Sequence, residues 1–290
     1  MKRLIPPRLG LAAAAAALTA ACTPLSMFAT LSPKDPAVRS AGSVAYGPDR
    51  RHMLDVYAPR RATQAAPAPV AVFFYGGSWD SGRRQDYNWA GRALAAKGFL
   101  TIVPDYRLYP QVRFPGFLED GAQAVRWAVD NAERLGGDPR RIVLIGHSAG
   151  AYNAAMLALD DRYLKAAGVE PGRIKAMAGL SGPYDFLPLE GPIPRRTFGE
   201  APDLAATQPV AFVRRDAPPM FLATAEQDNL VYPRNTHQLA AALRAKGAVV
   251  EERVYPGMDH IRMVLSLSRP FRAKAPVLDE MTDFLQAHSR

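Results

Sequence analysis

The sequence predicts one α/β domain: a doubly wound, mostly parallel β-sheet with helices on both faces. Three observations predict it. Strand-like and helix-like segments alternate from residue 70 to residue 287. The strand-like segments include continuous apolar, β-branched runs, the pattern of strands buried on both faces. Glycine or proline closes several of the segments. Alternation of this kind gives parallel pairing, with the crossover helices packed against the sheet.

Each element follows in order. Val70–Phe74 is the first strong strand, after a Pro/Ala-rich surface loop at Arg60–Pro69. Asn88–Lys97 reads as a helix closed by Gly98 at a C-cap position. Leu100–Val103 is a strand stopped by Pro104. Leu118–Arg134 carries Ala122, Val125 and Trp127–Val129 at helical spacing and ends at Gly136-Gly137. Ile142–Ile145 is a strand and Ala149–Leu159 a helix. Ile174–Leu180, Met220–Thr224 and Val249–Tyr255 are further strands, and Asn235–Lys246 and Val277–Ala287 further helices. Residues 186–217 lack this rhythm, are rich in proline and charge, and read as a small cap or lid beside a site.

Composition narrows the function classes. Hydrophobic residues make up 48% of the 290 and charged residues 22%, which excludes a wholly disordered chain. The one cysteine, Cys22, excludes an intrachain disulfide and any zinc site built from several cysteines. The net charge is +9, and setting aside the cations Lys2, Arg3 and Arg8 of the first 21 residues leaves +6. The remaining basic residues are spread along the chain, with nothing longer than short doublets such as Arg83-Arg84 and Arg195-Arg196, no run of five or more like charges and no basic stripe with interleaved aromatics. That is a solvated basic surface and argues against a nucleic-acid partner.

Residues 1–21 read as a signal peptide, with a basic start, an apolar run at Leu9–Leu18 and small residues Thr19-Ala20-Ala21. The run is shorter than the ~20 residues a membrane span needs. Leu18-Thr19-Ala20-Ala21-Cys22 resembles the bacterial lipobox, in which the cysteine receives lipid and becomes the mature N-terminus. The resemblance implies an exported, membrane-anchored lipoprotein attached through Cys22, and Thr23 in place of aspartate points to the outer membrane. The alternative is ordinary cleavage to a soluble periplasmic or secreted protein. Residues 22–43 hold Pro24, Pro33 and Pro36 without sustained periodicity and read as a tether. The domain then occupies residues 44–290.

The chemistry centres on Gly146-His147-Ser148-Ala149-Gly150, a G-x-S-x-G directly between a strand and a helix. In that context it reads as a nucleophile elbow, with Ser148 exposed on a sharp turn and glycines removing side chains that would clash. A serine hydroxyl needs a base to become a nucleophile. Of the five histidines, His260 lies on a loop off a strand end; His52 lies before the core, His147 inside the elbow, His237 on a helix surface and His288 in the tail. Asp228, after the strand Met220–Thr224, completes the order serine–acid–histidine. Glu226 and Asp185 are rivals, and Asp259, adjacent to His260, reads as solvated. Tyr75-Gly76-Gly77-Ser78-Trp79 follows the first strong strand, so the N–H groups of Gly77 and Ser78, with that of Ala149, are expected oxyanion donors. Trp79, Tyr184 and Phe186 are candidate pocket residues.

These motifs, with Asp105-Tyr106-Arg107-Leu108-Tyr109-Pro110, make the sequence similar to the α/β-hydrolase superfamily. The resemblance is to the carboxylesterase branch that includes hormone-sensitive-lipase-like esterases, kynurenine formamidases and feruloyl-type esterases. It covers about Val44 to His288. Tyr75 stands where kynurenine formamidases carry histidine. The resemblance implies hydrolysis of a small carboxylic ester through an acyl-enzyme on Ser148, with no metal and no cofactor. Arylformamidase, amidase, peptidase and acyltransferase activities use the same elbow and remain alternatives. A dehalogenase would want aspartate at position 148, and a non-catalytic surface lipoprotein would not need all of these elements.

Overall fold

The structure is a computed structural model and describes residues 24–35, 38–63 and 65–290. The signal peptide expected over residues 1–21, and Cys22, lie outside the described residues. Among the described residues, eight strands form one sheet in the order β1-β2-β4-β3-β5-β6-β7-β8. They are β1 (Val38–Ala45), β2 (Met53–Pro59), β3 (Ala68–Phe74), β4 (Leu100–Pro104), β5 (Gly137–His147), β6 (Ile174–Leu180), β7 (Met220–Ala225) and β8 (Val250–Tyr255). From β4 to β8 all pairs are parallel; β1 and β2 extend the sheet antiparallel beyond β4. This is the doubly wound, mostly parallel sheet that the alternation predicts.

The central strands are apolar because both faces are covered. Every residue of β4 and β7 is buried, as is nearly every residue of β3 and β6. The helix after the elbow, α4 (Ala149–Leu159), is buried along its whole length, which explains its alanines and its lack of a polar face. The covering helices include α2 (Asn88–Ala96), α3 (Gly116–Asn131), α5 (Asp161–Ala166), α7 (Arg234–Ala245) and α9 (Val277–His288). The helix expected over Leu118–Arg134 ends at Asn131, and a single 3₁₀ turn, Glu133–Leu135, leads to Gly136 at φ 83°.

The tether reading is corrected for the residues described. Pro24–Leu31 is a helix, α1, and it docks on the domain. Its fully buried residues, Ser26 and Ala29, are small, and Leu25 and Phe28 pack partly buried against the core. Phe28 stands edge-on to Trp89 at 5.4 Å, Arg83 donates to Ser26 Oγ at 3.0 Å, and Arg272 pairs with Asp35 at 3.0 Å. β1, which spans the proposed domain start at residue 44, is an edge strand whose register shifts between Ser40 and Gly42. The opposite edge, β8, carries Glu251, Glu252 and Arg253, paired with His237, Arg244 and Glu280.

His52 is not ahead of the core but in it. Its Nε2 lies 3.0 Å from Asp120 Oδ1 on α3. Asp120 is fully buried and also accepts from the Arg107 backbone N–H at 2.7 Å and from its guanidinium at 2.7 and 3.0 Å. That cluster ties the stretch after β4 to α3.

The topology also places a crevice. From β3 the chain crosses to β4 on one side and returns to β5 on the other. In open α/β sheets, ligands bind at the carboxyl ends of strands beside such a switch point. Residues Tyr75–Trp79 leave β3 there, and Ser148 leaves β5 there.

Asp120→Ala should destabilise the protein by about 1–3 kcal/mol, because it leaves the Arg107 N–H and the half-buried Arg107 guanidinium without their acceptor. Urea unfolding followed by circular dichroism measures this; a loss below about 1 kcal/mol would contradict the role given to the cluster.

Candidate active site

The elbow is built by exclusion of side chains. A Cβ on Gly146 would run into the Gly150 carbonyl, and a Cβ on Gly150 into the Phe74 carbonyl. With both absent, β3, β5 and the first turn of α4 meet backbone to backbone. Ser148 adopts φ 56°, ψ −127°, a conformation that costs a non-glycine residue on the order of 1–3 kcal/mol. It turns the hydroxyl out of the core into the crevice.

Ser148 Oγ lies 2.8 Å from His260 Nε2, and His260 Nδ1 lies 2.7 Å from Asp228 Oδ2. His260 is the first residue of α8 (His260–Leu265), and both His260 and Asp228 are buried. Asp228 Oδ1 accepts the N–H groups of Leu230 (3.1 Å) and Val231 (2.8 Å), which fixes the carboxylate plane. Burial pushes the Asp228 carboxyl up, but the His260 hydrogen bond and charge, with the Val231 N–H, outweigh it and hold the group below the usual carboxylate range. An ionised Asp228 accepts only, so Nδ1 carries the imidazole proton and the Nε2 lone pair faces Ser148.

The rivals are placed elsewhere. Glu226 accepts from the Gly257 N–H at 3.0 Å at the surface. Asp259 is not merely solvated: it caps α8, accepting from Ile261 and Arg262 N–H at 3.1 and 2.8 Å. His237 is half-exposed against Glu252. His147 is buried, and its Nε2 lies 3.0 Å from the His260 carbonyl. Burial, then the His260 charge, push its pKa down to about 3.

The loop after β3 faces Ser148 closely; a Cβ on Gly76 would sit 2.9 Å from Ser148 Cβ. Gly77 has φ 135°, Ser78 φ 55° and Trp79 φ 57°. Asp80 and Ser81 N–H fold back onto the Gly77 carbonyl at 3.1 and 3.0 Å. Among the described residues, the N–H groups of Gly77, Ser78 and Ala149 make no backbone hydrogen bond, and Ser78 and Ala149 line the same cavity as Ser148.

A cavity of about 360 Å³ opens at this point, lined by Ser78, Trp79, Ser148, Ala149, Phe186 and His260 among others. Trp79 is held in place by Asn153 Oδ1 at 3.1 Å and by Phe198 edge-on at 4.9 Å. Phe186 also lines the cavity. Tyr184 does not: it is fully buried, packed where Cβ atoms on Gly179 or Gly182 would strike its ring or hydroxyl, and is a core residue. Missed in the sequence are Ile193, Leu230 and Tyr232, which form the outer rim. Leu230 and Tyr232 are large, exposed and two and four residues past Asp228, which is the signal that marks them. A larger groove of about 680 Å³, between Phe114, Tyr163 and Pro202, shares no residue with this site.

A serine on a strand–helix elbow, at the switch point of this sheet and opposite histidine and aspartate from later loops, defines the α/β-hydrolase fold. The chain belongs to the BD-FAE family, whose description matches residues 54–243. It is 30% identical over 267 residues to isoprenylcysteine alpha-carbonyl methylesterase ICME of Arabidopsis thaliana, covering 84% of this chain and 62% of that protein. It is 31% identical to esterase LipC of Mycobacterium tuberculosis, covering 70% and 54% respectively. The chain thus spans little more than half the length of the curated relatives it matches. Among solved structures, phosphonate-inhibited esterase B from Lactobacillus rhamnosis superposes with a TM-score of 0.80 at 20% identity, over 96% of this chain and 94% of that one.

His147 sets a pH dependence. Folded, it stays neutral down to about pH 3; unfolded, it takes a proton near its ordinary 6.5. Its contribution to stability is therefore complete above about pH 6.5 and lost as pH falls toward 3, by up to about 1.4 kcal/mol per pH unit. Asp228, with its pKa lowered, adds a loss only below about pH 4. Urea unfolding at pH 7, 6, 5 and 4 should show this decline, and His147→Leu should flatten it; equal slopes in the two proteins would assign the decline to other groups.

Proposed function

We propose that the protein hydrolyses small carboxylic esters, with Ser148 as nucleophile, His260 as general base and acid, and Asp228 as the residue that orients the imidazole. The observation that carries this reading is the pair of contacts from Ser148 Oγ to His260 Nε2 and from His260 Nδ1 to Asp228 Oδ2, at the floor of an apolar cavity. His260 Nε2 takes the hydroxyl proton as Oγ attacks the ester carbonyl. The tetrahedral oxyanion develops beside the N–H groups of Gly77, Ser78 and Ala149. As the intermediate collapses, His260 returns the proton to the leaving alcohol, and water then repeats both steps on the acyl-enzyme. Asp228 stays ionised throughout and stabilises the imidazolium. Ester rather than formamide or amide cleavage is supported by the relatives, which carry esterase names.

Trp79 and Phe186 form the inner wall of the binding cavity in this reading. Residues 186–217, with the helix α6 (Pro192–Phe198) and two 3₁₀ turns, act as the cap over it. Export and lipid attachment at Cys22 are part of the same proposal and rest on the lipobox-like sequence.

Ser148→Ala should keep its circular dichroism spectrum and lose at least about 10³-fold in kcat on p-nitrophenyl acetate. Asp228→Asn should lower turnover far more than Glu226→Gln; the reverse order would move the acid. On cell fractionation, Cys22→Ser should leave the membrane fraction, and a wild type already soluble would remove the anchor from the proposal.

A further inference from the structure

The loop that carries the oxyanion donors holds three consecutive residues, Gly77, Ser78 and Trp79, at positive φ, two of them with side chains. Such a conformation persists only where the surroundings impose it. Its own hydrogen bonds, Asp80 and Ser81 onto Gly77, shape the turn but do not anchor it. Trp79 is tied by the Tyr109 N–H on its carbonyl at 2.8 Å and by Asn153 on its indole; the two ends of the loop are anchored from the β1–β2 turn, at the same end of the sheet. Arg51, in the turn between β1 and β2, donates from one nitrogen, Nη2, to the Tyr75 hydroxyl at 2.8 Å and to the Gly82 carbonyl at 2.9 Å. Tyr75 lies two residues before the strained segment and Gly82 three residues after it. Arg51 Nε donates to the Tyr106 carbonyl at 2.7 Å, and the Tyr106 hydroxyl returns to the Tyr75 carbonyl at 2.8 Å. Tyr75 also donates to Asp105 Oδ1 at 2.7 Å, the carboxylate that pairs with Arg84. The two ends of the loop are in close contact: a Cβ on Gly82 would sit 2.8 Å from Tyr75 Cε2.

The geometry points to Arg51 as a positioning residue that pins both ends of the oxyanion loop and so holds the Gly77 and Ser78 N–H groups toward Ser148. It touches no substrate and acts through the backbone. A planar guanidinium serves two acceptors in fixed directions, which an ammonium does not. The inference rests on the proposed function and deepens it: the donors it positions matter only if Ser148 forms an oxyanion there. Because Asp105 keeps Arg84, removal of Arg51 leaves that carboxylate paired.

The experiment measures kcat and KM on p-nitrophenyl acetate for wild type, Arg51→Ala and Arg51→Lys, with thermal melts of each and with methylguanidinium added. Donors displaced from an oxyanion lower kcat rather than ground-state binding. Arg51→Ala should therefore lose roughly 10- to 100-fold in kcat with KM within about twofold, Arg51→Lys should also fall, and methylguanidinium should restore part of the Arg51→Ala rate without raising that of the wild type. A folded Arg51→Ala with kcat within about twofold of wild type, or a loss confined to KM, overturns the inference. If Arg51→Ala does not fold, Arg51→Lys decides: reduced kcat at constant KM supports it, and wild-type kcat overturns it. A wild type inert to esters removes the function and this inference together, whereas an active wild type with an indifferent Arg51 removes this inference alone.

Discussion

One contact governs the rest of the molecule: the backbone of Gly150 lies against the backbone of Phe74 with no space for a Cβ. It brings the end of β3, the end of β5 and the start of α4 to a single point. Ser148 must then take a positive φ, and the loop after β3 must pass directly over it. Ser148 and the loop after β3 are neighbours because the sheet and the helix touch there. A substitution at Gly150 would damage both at once, since neither β3 nor α4 is free to retreat from a fully buried core.

The acid and the base reach this point differently. Each follows a strand end, β7 or β8, and each buried side chain is fixed by backbone bonds of its own loop. Asp228 is held by two N–H groups of its own loop, and His260 by a helix start that Asp259 caps. Three acids crowd this region, and their hydrogen bonds assign them separate tasks: Glu226 braces the Gly257 turn, Asp259 starts a helix, and Asp228 alone faces the imidazole. Electrostatics agrees with geometry. His260 keeps Asp228 ionised despite burial, while the neighbouring His147 is kept neutral by burial, so the two histidines differ in the partner each has.

Much of this was legible in the sequence, for identifiable reasons. β3, β4, β6 and β7 are apolar because they are buried on both faces, and such runs stand out. Ser148, Asp228 and His260 each follow a strand, so their order along the chain becomes proximity at one sheet end. What was illegible is equally physical. α1 spans only eight residues and fully buries only Ser26 and Ala29, too short a stretch to show a sustained period. Tyr184 sits beside motif residues in sequence, yet its side chain turns into the core. The rim residues Leu230 and Tyr232 belong to no motif and are marked only by large apolar side chains held in solvent. Arg51 lies in an unremarkable turn, and only the fold brings it to both ends of a loop that begins 24 residues later.

An open sheet of eight strands ends in two rows of unpaired peptide groups, and each row here is made a poor template for another chain. On one side the register of β1 shifts between Ser40 and Gly42, which breaks the regular spacing an incoming strand would need. On the other, β8 sets three charged side chains in a row and ties them into ion pairs. An approaching β-strand would have to break those pairs or bury the charges before it formed a single ladder bond. The flanks therefore act as stops, and they let a highly apolar sheet face crowded surroundings without recruiting its own kind into longer assemblies.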